Sequence, residues 1–309
     1  MSSKKHFLAG LSSYVIWGFV PLLFKELSAF DDYEIIFYRV FVAALAMAVV
    51  FSMDWKASWN AVADVFRQSQ KDFWIMMTLT LVGGALLMVN WVTYVYVVNH
   101  VSIHGAAFAY LILPIATTFL AFFILGEKLN KNKWAGIVLS GISCYLMANV
   151  DVNQILYIAA ITLSYSFYMI TQRRNLYVNR RISLSMQMVA GVLMMLLIDP
   201  IKTPVGELDF HFWLFVSLIA LFFTITPLLL NLFALNGMES SQLAFLIYVN
   251  PIISFVIGVT IYGEELDWLA VTAYSLMAIA IVIFNWELIG HAAKKSGLYK
   301  SQESVKKVA

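Results

Sequence analysis

Two stretches decide the fold: "AFAYLILPIATTFLAFFILGEKL", residues 107–129, and "AFLIYVNPIISFVIGVTIYGEEL", residues 244–266. A shift of 137 residues lays one on the other. Pro114 falls on Pro251, and Gly126-Glu127 falls on Gly263-Glu264, in each copy 12 residues beyond the proline. Apolar matches between two membrane-like runs arise by chance. A mid-run proline and a terminal Gly-Glu at the same spacing do not. The chain reads as a tandem duplication.

Composition says what is duplicated. The 309 residues are 61% hydrophobic and 12% charged, with a mean hydropathy of +0.81. A soluble domain is nearer half apolar and a quarter charged. The chain is therefore expected to be an integral membrane protein. Ten apolar segments follow, at about 7–25, 34–53, 73–98, 103–125, 134–149, 154–172, 183–199, 211–233, 241–262 and 268–289. In lipid the backbone must satisfy its own hydrogen bonds, so runs of this length are helices. The first one follows "MSSKKH" and has no small-residue cleavage site after it, so it reads as an uncleaved spanning helix.

Five helices per copy is an odd number, so the second copy enters the membrane inverted. The expected organisation is a first five-helix repeat over residues 1–150, a second, inverted one over 151–290, and a basic tail over 291–309. Charge agrees. With the N-terminus in the cytoplasm, 17 of the 20 lysines and arginines lie on the cytoplasmic side, as the positive-inside rule requires. "GEKLNKNK" then lies inside and "GEELD" outside, with both termini cytoplasmic. Inverted repeats are a transporter architecture, with the site at their interface.

Pro114 and Pro251 each remove a backbone donor in mid-helix. As a symmetric pair at one depth they are candidate gating kinks, with Pro21 in the first helix.

The residues that carry a family resemblance are "YVIWGFVPLLFK" (14–25), "EIIFYRV" (34–40), "GGALLMVNWVTYVYVVN" (83–99) and the two Gly-Glu helix ends. The chain resembles the drug/metabolite transporter superfamily, in its EamA-type branch, and most closely the RarD-like permeases. It departs from them before Pro114, where "AYLILP" stands in place of "GYFINP". The resemblance implies a ten-helix, all-α membrane fold in the cytoplasmic membrane of a bacterium. Helices 1–4 and 6–9 would enclose a central cavity, and helices 5 and 10 would lie to the side as a homodimer contact. The implied function is secondary transport of a small organic metabolite or drug, as an efflux permease working by alternating access.

Arg39 is the most informative single residue. A charge at membrane depth costs roughly 2.5–3.5 kcal/mol on insertion scales and usually marks a pathway. Glu34, five residues earlier, lies about 140° around the helix, so the two do not share a face. Arg39 is therefore expected to face a water-filled cavity, with Lys25 near the outer end of helix 1. The other candidate cavity residues are Tyr14, Trp17, Tyr38, Asn90, Trp91, Tyr94, Tyr110, Tyr168, Gln187, Asn231, Tyr248 and Asn250. Gln187 takes the place of Arg39 when helices 7 and 2 are matched.

Other chemistry is sparse. His100 and His104 have a metal-ligand spacing but no third ligand nearby in sequence. No phosphate-binding loop, Walker motif or nucleophile elbow occurs, so no ATP-driven pump, cofactor or metal is expected. The expected partners are a solute and membrane lipids, not nucleic acid. The competing class, an enzyme or flippase for a lipid-linked substrate, calls for acids or histidines clustered at one interface. Glu127 and Glu264 fall on opposite sides.

Overall fold

The computed structural model describes residues 2–101, 103–148, 154–198, 207–261, 263, 268–287 and 289. Among them every element is helical: α1 (Ser2–Gly18), α2 (Val20–Glu26), α3 (Asp32–Met53), α4 (Trp55–Gln68), α5 (Gln70–His100), α6 (Ile103–Leu120), α7 (Lys131–Leu146), α8 (Ile155–Arg174), α9 (Arg180–Ile198), α10 (Phe210–Ala220), α11 (Thr226–Ala234), α12 (Ser240–Phe245), α13 (Val249–Ile261) and α14 (Trp268–Phe284). The protein is an all-α membrane protein.

The capping chemistry is ordinary. Asp31, Ser69, Asn130 and Asp209 stand ahead of α3, α5, α7 and α10, each accepting from a backbone N–H three residues on. Such caps satisfy donors that a helix start leaves free.

Three features of the helices have physical causes. The segment between the second and third apolar runs is helical. It forms α4, which carries Lys56 and Arg67 beside Trp55 and Trp59, whose exposed rings stack 5.9 Å apart. A helix with this mixture lies along a membrane interface rather than across it. Second, eight of the described helical runs have at least 18 residues and are apolar enough to cross a membrane, and the remaining two are shorter. The fifth and tenth, α7 and α14, have 16 and 17 residues. At 1.5 Å per residue each described part reaches about 25 Å, the short end of what spans the roughly 30 Å hydrocarbon core. They pack along one another, with Ser143 donating to the Ala273 carbonyl at 2.8 Å. Third, several apolar runs are interrupted. The first breaks at Phe19, ahead of Pro21, into α1 and α2. The eighth carries a π-turn at Leu221–Ile225, between α10 and α11. The ninth carries a 3₁₀ turn at Leu246–Tyr248, between α12 and α13.

The helix pairs are reciprocal between the two halves. α5 packs on α8 as α11 packs on α1, and α6 packs on α8 as α13 packs on α1. Likewise α5 meets α9 as α10 meets α3, while α3 meets α9 and α7 meets α14. The equivalent prolines do not behave alike. Pro114 sits inside an unbroken α6, whereas Pro251 follows the 3₁₀ turn.

Gly126 and Gly263 have φ of +70° and +66°. This left-handed backbone stops a helix and suits glycine. Beyond Gly126 the chain presents Glu127, whose carboxylate accepts from the backbone N–H groups of Ser240 and Ser241 at 2.6 and 3.0 Å and from the Ser241 hydroxyl at 2.5 Å. Lys133 donates to Glu239 and to the Lys128 carbonyl. The end of α6 is thereby tied to the start of α12 at the lysine-rich end of the bundle. The counterpart, Glu264, lies outside the described residues.

Candidate functional site

The site grows around α5. Its sequence "MVNWVTY" places Asn90 and Tyr94 one turn apart and Trp91 beside them. Asn90 is fully buried; its amide donates to the Ile161 carbonyl on α8 at 2.8 Å and accepts from the Tyr110 hydroxyl on α6 at 3.2 Å. Tyr94 meets Tyr110 edge-on, with ring centres 5.1 Å apart. Three helices are fixed by one amide and two phenols.

Arg39, on α3, points to the same place. Its guanidinium carbon lies 4.3 Å from the centre of the Trp91 ring and 5.8 Å from that of Phe24. It lies within electrostatic reach of Tyr110. The residue is 8% exposed, and its Nε has no hydrogen-bond partner among the described residues. A buried charge without a paired acid is costly. Stacking on two aromatic faces offsets part of that cost.

On the other side stand α1 and α11. The Asn231 amide donates to the Tyr14 hydroxyl at 2.8 Å. Trp17, one turn on, packs 5.4 Å from Tyr14 and donates its indole N–H to the Phe223 carbonyl at 2.9 Å. That carbonyl lies in the π-turn, four residues before Pro227, which has no N–H to offer it. The indole fills the vacancy. Between the two groups, α8 supplies Tyr165 and Tyr168, whose ring centres are 5.6 Å apart. Both are buried; the Tyr168 hydroxyl has no hydrogen-bond partner among the described residues, and that of Tyr165 meets the Tyr14 hydroxyl. Tyr165 is within electrostatic reach of Tyr14, Tyr110 and Tyr168.

The structure thus brings together Tyr14, Trp17, Arg39, Asn90, Trp91, Tyr94, Tyr110, Tyr168 and Asn231, from α1, α3, α5, α6, α8 and α11. Five other candidates stand elsewhere. Lys25 is exposed in the last turn of α2. Tyr38 is buried edge-on against Phe212 and Trp213 in the aromatic core with α10. Tyr248 donates its hydroxyl to the Leu111 carbonyl. Asn250 is half-buried on α13, with an unpartnered Oδ1. Gln187 is fully buried near the basic end; a Cβ on Gly84 would sit 3.3 Å from its Cα, so glycine permits α5 and α9 to approach there. Glu34, near the start of α3, is 6% exposed.

Sequence reasoning missed the surroundings of Gln187. Asn175 donates to Thr80 at 2.8 Å and to Ser183 at 3.2 Å, and Gln172 lies against Gly83. Gln172, Asn175 and Gln187 each keep one amide atom without a partner. The signal was present as three amides within 16 residues of sequence, but the intervening "RRNLYVNRR" masks it as a basic loop.

The comparisons with known proteins give the family. The profile of the EamA-like transporter family matches twice, over residues 4–149 and 153–286. An "Uncharacterized transporter" of Vibrio cholerae serotype O1 is 27% identical over 303 residues, covering 95% of this chain and 97% of that one. "Protein RarD" of Escherichia coli strain K12 is 25% identical over 293 residues, covering 93% and 96%. A solved structure titled "Crystal structure of protein" superposes with a TM-score of 0.70 at 16% identity, covering 93% of this chain and 99% of that one, a likeness of fold alone. By the family match over nearly its whole length, the chain belongs to the EamA-like transporter family.

Proposed function

We propose that this membrane transporter is a secondary permease that exports a small organic solute across the cytoplasmic membrane of a bacterium by alternating access. Both termini would face the cytoplasm, and residues 1–150 and 151–290 would be the two inverted halves. The observation that carries the reading is Arg39, a buried cation stacked on Trp91, with no acid beside it among the described residues and with the unpartnered Tyr168 phenol nearby. A group that is expensive to bury and unpaired within the protein is reserved for something that arrives. The reciprocal helix pairs support exchange between two arrangements of the halves. The ties from Glu127 and Lys133 to the start of α12 would hold the cytoplasmic end shut in this arrangement. The outward direction is the expectation that the RarD resemblance gives. The outer faces of α7 and α14, with Trp134, Val138 and Trp268 exposed, would serve a homodimer.

The test is reconstitution. Purified protein in liposomes loaded with a bacterial metabolite extract is diluted into buffer, and the solutes released are identified by mass spectrometry. Release of an unaltered solute, absent from empty liposomes, supports the permease. Release of a chemically changed product, or of nothing, refutes it.

A further inference from the structure

A cavity of about 420 Å³ opens at the basic end of the bundle, away from Arg39. Its lining includes Asn175, Asn179, Arg180, Arg181, Phe233 and Asn236, and no aspartate or glutamate. Arg180 is held in place rather than free. Its Nε donates to the Asn236 side-chain oxygen at 2.8 Å and one terminal nitrogen donates to the Gln172 carbonyl at 2.7 Å. Its other terminal nitrogen is buried and unpartnered. Arg173 lies within electrostatic reach, as does Tyr168 of the central cluster. Asn175, 2% exposed, lines the cavity with its side-chain oxygen unpartnered.

The bland account is that these arginines only orient the chain in the membrane. It does not explain why Arg180 is fixed by two neutral acceptors while a third donor is left unsatisfied. A topological charge works equally well in water. A guanidinium oriented by its neighbours, with a donor in reserve, is how proteins hold carboxylates and phosphates. The line from this cavity inwards repeats the pattern. The Arg180 nitrogen, the Tyr168 hydroxyl and the Arg39 Nε are all buried hydrogen-bond donors without an acceptor among the described residues. Cations stand at both ends, and aromatic rings lie between.

Resting on the permease reading above, we propose that the transported solute is a small organic anion with an aromatic or apolar body and a hydroxyl or amino group. The Arg180 cavity is its docking station at the basic end, and Arg39 is its station further in. At the first station the anion takes the free guanidinium nitrogen, and the hydroxyl or amino group donates to Asn175.

The experiment measures binding to the full-length protein in nanodiscs of neutral phosphatidylcholine. The probes are mandelate, 4-hydroxyphenylacetate and salicylate, each beside its uncharged amide. At least one acid should bind roughly tenfold more tightly than its amide. Arg180→Gln should remove that preference, and Arg180→Lys, which keeps the charge and loses the fork, should keep only part of it. If the glutamine variant does not fold, the lysine variant carries the comparison. Amides that bind as well as their acids, or no binding by any acid, overturn the proposal. So does an Arg180-dependent stabilisation that appears only when phosphatidylglycerol is added, for the cavity is then a lipid headgroup site. The same panel in liposomes separates the two readings. Movement of amides but not acids overturns the anion and leaves the permease standing, whereas movement of no solute at all, metabolite extract included, overturns the permease.

Discussion

The Tyr248 hydroxyl donates to the Leu111 carbonyl at 2.9 Å, and the two residues stand 137 positions apart in the chain. Each lies three residues before its proline, Pro251 or Pro114, so residues at equivalent positions of the two copies touch. The bond runs one way only, since Leu111 has no hydroxyl to return. The first turn to be disturbed by Pro114 thus receives a side-chain donor from the other half of the molecule.

Removing that donor tests its worth. Tyr248→Phe keeps the ring and its packing while the Leu111 carbonyl loses its best partner. A cost of about 1 kcal/mol is expected, read as a lower melting temperature in detergent. An unchanged melting temperature would show that water or another group replaces the phenol.

Arg39 should behave in the opposite sense. Because it is buried beside Trp91 without a paired acid, Arg39→Gln removes a desolvated charge. The variant should melt at or above the wild-type temperature and lose most of its transport. Arg39→Lys should also lose transport, since an ammonium cannot reproduce the planar stack. Full transport by Arg39→Gln at wild-type expression would reduce the residue to a positional charge.

The indole of Trp17 and the missing N–H of Pro227 are coupled through the Phe223 carbonyl. Trp17→Phe leaves that carbonyl unsatisfied, at a cost of about 1–3 kcal/mol. Pro227→Ala supplies a backbone N–H four residues on, so the double variant should recover part of the loss. Strict additivity in the double-mutant cycle would mean that the indole bond is incidental.

The Glu127 carboxylate holds two backbone N–H groups and a hydroxyl at the start of α12. Glu127→Gln retains one oxygen and should cost less than Glu127→Ala, which removes charge-assisted bonds worth about 1.5–3 kcal/mol each to charged groups. Thiol labelling at Asn130→Cys and Trp268→Cys places this end. An impermeant reagent should reach the two from opposite sides of the membrane, and labelling of both from one side would contradict the inverted arrangement.

Much of this was legible in the sequence, and for a physical reason. Lipid forces backbone groups to pair within each segment, so apolar run length alone locates the helices. Where the runs are broken was less legible. Pro227 lies in the run containing Thr224 and Asn231, yet the run breaks at the π-turn before it, where the carbonyl that Pro227 leaves free takes the Trp17 indole. Depth along a helix was legible too, which is why Arg39 stood out as a candidate. Facing was not: Tyr38 and Arg39 are neighbours in sequence, and one enters the aromatic core while the other stacks on Trp91. Asn175 and Arg180 escaped because Thr80 on α5 and Asn236 just beyond α11 reach them from far away in the chain.

Cys144 is the single cysteine in the chain; it is buried on α7, with its Sγ 3.4 Å from the same Leu111 carbonyl that Tyr248 engages. The native protein therefore comes with a silent background for thiol spectroscopy. One spin label or fluorophore placed on any outer surface reports alone, with no cysteine-free parent to engineer first. Left unaltered, Cys144 becomes a clock. The rate at which a small neutral reagent finds it measures how often the turn around Leu111 lets go.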